Sequence, residues 1–148
     1  DGAGTSREDR ILFMAATNRP WDLDDALLRR VPRRVLIPLP SATARRVILD
    51  KMLDSGDVAQ SLSASDRAAI VKATETFSAA DLQLLAEDAV QEPLRELGER
   101  IASIKVKDVR PCRKDDFARA LRVIKPAADA SLLSRYDEWA AKFGTRGS

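Results

Sequence analysis

The fold class of this chain is restricted above all by the order of its apolar patterns. Residues 11–16 and 35–37 are short apolar runs without polar alternation, which is typical of strands buried on both faces of a parallel sheet. Residues 22–30, between them, carry acids early and arginines late, as a short helix does. Two strands alone do not form a stable sheet. We therefore expect further strands to be needed, and residues 1–38 to be poorly ordered, re-paired or completed by another chain.

The rest of the chain, after the hinge that prolines 38 and 40 predict, has helical periodicity. The first predicted helix starts at Ser41 or Thr43 and ends at Gly56, and the second covers 65–76. The third starts at a capping box over 78–81 and kinks or ends at Pro93. The fourth starts at Asp115 or Asp116 and reaches Ile124, and the fifth runs from about Asp129 to Gly144. Residues 99–112 stay undecided and are read as a loop. The expected class is mostly α, with the remnant of an α/β sheet followed by a helical unit.

Composition excludes several function classes. The chain has 148 residues with 25 Lys and Arg against 23 Asp and Glu, so we expect no chain-wide nucleic-acid surface. It has no His and only Cys112, which rules out an internal disulfide, a zinc cluster of Cys and His, and a triad with a His base. An unpaired thiol and no secretory leader favour the cytoplasm, and no apolar run is long enough to span a membrane.

Asn18 follows the first apolar run, where ligand crevices of α/β sheets lie. Its amide could bind a phosphate oxygen or orient an attacking water. The simpler alternative is that Asn18 only shapes the turn before Pro20, and spacing alone favours that alternative.

Six arginines and no acid lie between residues 29 and 46. The guanidinium fork suits phosphate and carboxylate groups, whereas nucleic-acid binding would call for interleaved aromatics that are absent here. We expect a solvated basic face at positions 33, 34, 45 and 46. Arg29 and Arg30, at the end of a short helix, could present charge to a neighbouring subunit.

Two further candidates have ordinary structural explanations. Ser78, Ala79 and Ala80 open a helix whose free N–H groups could meet a phosphate or a base, but capping explains them equally well. Cys112 is expected to be a spectator, because no His could activate it. The chain also has no Lys after a Gly, so it contains no phosphate-binding loop, and we expect it not to hydrolyse ATP by itself.

Taken together, residues 11–24, 26–30 and 34–40 closely resemble the AAA ATPases, and within them the meiotic clade of katanin, spastin, fidgetin and the vacuolar-sorting ATPases. The ending, residues 116–144, is similar to that clade's C-terminal helix. The resemblance departs from the family pattern at Ala79, where Gly is usual, and at Val31, where Phe is usual. It implies three domains or segments: 1–40 from the α/β subdomain, 41–126 as the helical lid, and 127–148 as the C-terminal helix and tail.

The same resemblance implies roles for individual residues. Asn18 would be the sensor of the γ-phosphate or of the attacking water, and Arg29 and Arg30 would be arginine fingers that act in the next subunit of a hexameric ring. Ser78, Ala79 and Ala80 would lie near the adenine. ATP and Mg would then be cofactors of a longer parent chain, with their phosphate and metal ligands outside this segment.

The function implied is the C-terminal part of an AAA ATPase that couples ATP hydrolysis to microtubule severing or to the remodelling of a protein complex. Its partners would be other copies in the ring and a protein substrate such as tubulin tails, with no nucleic acid and no membrane span. The alternative is a non-catalytic helical module that caps or regulates AAA protomers.

Overall fold

A computed structural model describes residues 12–54, 59–105 and 108–145. The described residues contain six α-helices, namely α1 (Asp25–Arg30), α2 (Ala42–Asp54), α3 (Ala64–Ala73), α4 (Ala79–Arg95), α5 (Lys114–Val123) and α6 (Ala130–Phe143). Short 3-10 turns cover Pro20–Asp22 and Gly98–Ala102. The mostly helical class predicted from the sequence is therefore confirmed. Among the described helices, none has both the length and the hydrophobicity needed to cross a bilayer.

The chain divides into two compact units. The described part of the first comprises residues 12–35 and 138–145, and the second comprises the described residues within 36–137. The division falls close to the predicted hinge and again within α6.

The core of the second unit is formed by one face from each of α2 to α5. The amphipathic stripe of α4 places Leu82, Leu85 and Ala89 one and two turns apart, and all three are fully buried. Phe117 of α5 fills the centre at 1% exposure. The other buried apolar members of this cluster are Leu49, Leu53, Ile70, Val71, Phe77, Cys112 and Ala120. Each large side chain buried in this way stabilises the unit by roughly 1.5–3 kcal/mol.

Capping boxes start α3 and α4. Ser78 Oγ accepts a hydrogen bond from the N–H of Asp81, and the Ser78 N–H donates to the Asp81 carboxylate at 2.9 Å. Ser63 and Asp66 repeat this pattern. The box at 78–81 confirms that sequence prediction, whereas α3 begins one residue before the predicted position 65 and ends at Ala73 instead of 76.

Two predictions are wrong, namely the two strands and the cap of α5. Residues 12–16 and 35–37 are not strands in the described part of the chain, because no neighbouring strand pairs with them, and their large apolar side chains are exposed. The cap of α5 is Arg113, and Asp116 accepts from its N–H. Of the two outcomes predicted for Pro93, a kink or an end of the helix, the end is excluded, because Pro93 lies inside α4, which continues to Arg95. The predicted helix end at Gly56 lies outside the described residues.

An ion pair between the half-buried Arg110 and the buried Asp116 fixes the start of α5. Arg110 donates from both Nη atoms to the two carboxylate oxygens of Asp116 at 2.8 Å, and Asp116 is 1% exposed. Burial alone would raise the pKa of Asp116, but the Arg110 guanidinium and the Arg113 N–H hold it below its usual value. Glu96 binds the outer side of the same guanidinium.

We expect Arg110→Ala to lower the free energy of unfolding by about 3 kcal/mol, because it leaves the Asp116 carboxylate buried without its bidentate cation. Arg119 lies 3.8 Å from Asp116, farther than the 2.8 Å of the two Arg110 contacts, and is the weaker partner. Urea unfolding followed by circular dichroism measures the loss. Arg122→Ala, an exposed arginine of the same helix, should change stability by less than about 0.5 kcal/mol. Equal stability of the two variants would contradict this account.

Candidate functional site

The loop around Asn18 is held by local hydrogen bonds. Asn18 lies at a bend and is exposed. Next to it, the Arg19 N–H donates to Thr17 Oγ1 at 3.0 Å, and Arg19 Nε donates to the Asp22 carboxylate at 2.6 Å. The short turn that begins at Pro20 follows directly. Asn18 is thus presented at the surface of the first unit by a loop with defined local geometry.

Helix α1 carries two adjacent arginines in its last turn. The Asp24 carboxylate accepts from the Leu27 N–H at 2.6 Å and caps the amino end. Arg29 and Arg30 are both exposed, and Arg30 Nη1 makes a long hydrogen bond of 3.4 Å to the Ala26 carbonyl. A helix of six residues is too short to be stable by itself. The direction of these two cations therefore depends on what anchors α1.

Arg34 provides that anchor, and it is half-buried, not part of the solvated face that we predicted. Its Nε donates to the Val31 carbonyl at 3.1 Å, its Nη1 to the Phe143 carbonyl at 3.0 Å, and its Nη2 to the Leu28 carbonyl. The prediction failed because the acceptors are backbone carbonyls, which residue type does not reveal.

The carboxyl end of α6 meets the same segment. Thr145 and Arg34 exchange two hydrogen bonds, from Arg34 N–H to Thr145 Oγ1 at 3.0 Å and from Thr145 N–H to the Arg34 carbonyl at 2.8 Å. Trp139 packs against Phe143 with ring centroids 5.3 Å apart. The Gly144 N–H closes α6 on the Ala140 carbonyl at 2.8 Å, as the predicted helix end requires.

An open depression of about 400 Å³ lies on this unit, lined by Asp25, Leu28, Arg29, Pro32, Arg34 and Phe143. Arg29 and Arg34 thus share one surface with the end of α6. The depression is open and lined by both charged and apolar side chains, unlike the enclosed apolar pockets that hold small ligands.

The second group of predicted site residues belongs to the second unit. Ala79 and Ala80 form the exposed first turn of α4, and Ser78 is its cap. Asp81 is 5% exposed, and its carboxylate also accepts from the Ala127 N–H at 3.3 Å. The sequence did not indicate this last contact, which ties the segment after α5 to the start of α4.

The remaining arginines between residues 29 and 46 differ from one another in exposure and in hydrogen-bond partners. Arg45 is 5% exposed and donates to the carbonyls of Pro40 and Val71 at 2.9 and 3.0 Å, so the predicted solvated position is wrong for it. Arg46 pairs with Asp50, and Arg33 is exposed as predicted.

Neither Cys112 nor a metal site adds reactive groups to the described residues. The thiol of Cys112 is fully buried, and burial raises its pKa to about 12, so it stays protonated and is a poor nucleophile. Within residues 12–54, 59–105 and 108–145, no group of three or more Cys, Asp or Glu side chains could hold a metal ion.

The structure therefore describes two separate groups of candidate residues. Asn18, Arg29 and Arg30 lie in the first unit, on a loop and a helix that follow one another. Ser78, Ala79 and Ala80 lie in the second. Guanidinium and amide groups such as these can bind anions, and the described residues contain no group of three or more Cys, Asp or Glu side chains that could hold a metal ion.

Comparison of sequences relates this chain to one family. Residues 2–39 match the model of the ATPase family associated with various cellular activities (AAA). An AAA domain-containing protein of Schizosaccharomyces pombe is 46% identical over 143 residues, and a probable spastin homolog of Caenorhabditis briggsae is 40% identical over 145 residues. Each alignment covers 97% of this chain, which spans 19% and 27% of the lengths of these two relatives.

Solved structures agree with the sequence comparison. The crystal structure of the FIGL-1 AAA domain superposes with a TM-score of 0.87 at 35% identity, over 95% of this chain and 47% of that one. The same domain has been crystallised in complex with ADP. A structure that describes katanin self-assembly gives a TM-score of 0.71 at 30% identity, over 82% of this chain and 44% of that one.

Proposed function

Since this chain is a segment of an AAA domain of the spastin, fidgetin and katanin group, we propose that it contributes the sensor and the arginine fingers of an ATP-driven ring. The resemblance stated from the sequence is confirmed at the level of the family. The roles of individual residues are proposals.

The observation that carries the proposal is the exposed pair at the end of α1. Arg29 and Arg30 lie within the segment that matches the family model, as does Asn18. Exposed guanidinium groups on an anchored helix can reach across a subunit boundary and stabilise the charge that develops during phosphoryl transfer. Asn18 would bind the γ-phosphate or the attacking water of its own subunit. Ser78, Ala79 and Ala80 would contact the adenine.

ATP with magnesium supplies the reacting phosphate when bound. The guanidinium pair and the amide fit a polyphosphate, whereas the described residues hold no metal-binding carboxylate cluster. The guanidinium pair and the amide would therefore act on the phosphate oxygens and on water. Crystallisation of a related AAA domain with ADP supports nucleotide binding in the family.

The exposed apolar runs support a larger folded unit. Leu12, Phe13 and Met14 are 70–82% exposed, and Val35 and Ile37 are 75% and 82% exposed. Exposed apolar runs of this kind mark surfaces that another part of a protein covers. The chain spans 47% of the FIGL-1 AAA domain chain. We propose that the remainder of such a domain pairs with these runs and supplies the phosphate loop.

Microtubule severing in the cytoplasm is the activity that we favour for the full-length protein, in line with the names of the spastin and katanin relatives. Stabilised microtubules should fragment when the full-length protein and ATP are both present, and should stay intact with a non-hydrolysable analogue. Microtubules whose acidic tails have been removed by protease are the matched control, and they should resist severing. ATP turnover without severing would point to remodelling of another protein complex.

A second function has its own support. The second unit has a buried core of its own, which suits a helical module that binds AAA protomers without catalysis. A full-length protein that binds such protomers but hydrolyses no ATP would establish this function in place of the first.

A further inference from the structure

Arg34 joins the ends of two helices. Leu28 lies in the last turn of α1 and Phe143 is the last residue of α6, and both carbonyls accept from the Arg34 guanidinium. The last four carbonyls of any helix have no partner within that helix, and they carry its negative dipole end. A single cation thus caps two carboxyl ends at once.

The geometry of this cap needs an arginine. The guanidinium has five N–H donors in a planar fork, and Arg34 uses Nε, Nη1 and Nη2 on three different carbonyls. The lysine ammonium is a compact charge at the end of a flexible stem, which would keep the electrostatic attraction but not this spread of directions.

The backbone of the same segment is held independently. Besides the two hydrogen bonds that Thr145 and Arg34 exchange, Thr145 Oγ1 donates to the Pro32 carbonyl at 3.4 Å. The segment between α1 and the second apolar run is therefore fastened to the chain beyond α6 by both backbone and side chain. Arg29 lines the depression that Arg34 and Phe143 also line.

From these contacts we infer that Arg34 is a positioning residue, which fixes the direction of Arg29 and Arg30 by capping α1 and α6 together. The inference rests on the proposed function, in which those two arginines act on the neighbouring subunit. In this role Arg34 acts through Arg29 and Arg30 and not on the nucleotide directly. Loss of the cap lets the six-residue α1 change direction, so the fingers miss the transition state although nucleotide binding persists.

The test uses the full-length protein and begins with steady-state ATP hydrolysis. Arg34→Ala should lower kcat by about tenfold or more, with KM changed by less than about twofold, because a transition-state contact is lost and ground-state binding is not. The kcat of Arg34→Lys should lie between that of Arg34→Ala and that of the unmodified protein. Arg33→Ala, exposed and outside this network, is the matched control and should keep full activity. Unchanged kcat in Arg34→Ala would overturn the inference.

Mixing of variants separates a misplaced finger from a damaged nucleotide site. A protomer with Asn18→Ala keeps its fingers, and a protomer with Arg34→Ala keeps its own sensor, so mixed rings should regain activity above that of either variant alone. Arg34→Ala mixed with the Arg29→Ala/Arg30→Ala variant should regain none, since both lack a working finger. Circular dichroism of each variant measures whether it is folded.

The same mixtures distinguish failure of the positioning role of Arg34 from failure of the proposed action of the fingers across the subunit boundary. If Asn18→Ala and the Arg29→Ala/Arg30→Ala variant complement each other but Arg34→Ala does not complement Asn18→Ala, the positioning role is wrong and the proposed fingers stand. If neither mixture regains activity, action across the subunit boundary is wrong, and the positioning role falls with it.

Discussion

Replacement of both Arg29 and Arg30 by alanine is expected to reduce ATP turnover of the full-length protein by about 10³-fold or more, the range in which arginine fingers act. The two guanidinium groups are exposed on the last turn of α1. In the proposed ring they stabilise charge on the neighbour's γ-phosphate only as the transition state forms. Nucleotide affinity, measured with a fluorescent nucleotide, should therefore change little.

The single variants show how the two arginines divide this role. Each of Arg29→Ala and Arg30→Ala should also abolish turnover if both fingers contact the phosphate. Arg33→Ala carries the same charge change at a nearby exposed position and should leave turnover within about twofold, as surface substitutions usually do. Normal turnover in both single variants and in the double variant would remove the finger assignment.

Asn18→Ala is expected to lower kcat by about 10²-fold, the usual cost of removing one oriented hydrogen-bond donor from a transition state. The amide lies on an exposed loop in which Arg19 hydrogen-bonds to Thr17 and Asp22. Circular dichroism of the variant measures whether its fold is kept. ATP affinity should be retained, which equilibrium binding measures. Thr17→Ser keeps the hydroxyl that accepts from Arg19 and serves as the control. Wild-type steady-state turnover in Asn18→Ala would contradict the sensor role.

The parts of the fold that the sequence predicted are those held by short-range interactions. The box of Ser78 and Asp81 closes within four residues, and Gly144 ends α6 through a carbonyl four residues earlier. Residue type and spacing carry that information directly. The mostly helical class followed from the same local patterns.

The failures at residues 12–16, Arg34 and Arg45 concern partners that are distant along the chain, whereas the errors in the cap of α5 and the ends of α3 are local. The apolar pattern of residues 12–16 identifies side chains that favour burial, but a strand forms only where another strand pairs with it. Arg34 and Arg45 bind carbonyls 109 and 26 residues away. Every residue has a carbonyl, so no sequence pattern distinguishes these two arginines from the exposed Arg33.

The candidate site depended on family resemblance more than on chemistry read from spacing. The spacing around Asn18 by itself predicts a turn residue. The charges of Arg29 and Arg30 by themselves indicate part of a basic segment. Their proposed roles follow from the motif around them. The structure adds the anchor at Arg34, which neither the spacing nor the motif predicted.

The most direct test of the central claim is a structure of the full-length protein assembled with a non-hydrolysable ATP analogue. The quantity to measure is the distance from the γ-phosphate oxygens to the nearest guanidinium nitrogen of Arg29 or Arg30 of the adjacent subunit. We expect about 3 Å, a hydrogen-bonded contact. Both guanidinium groups lying more than about 10 Å from every nucleotide, beyond one Debye length at moderate salt, would contradict the claim.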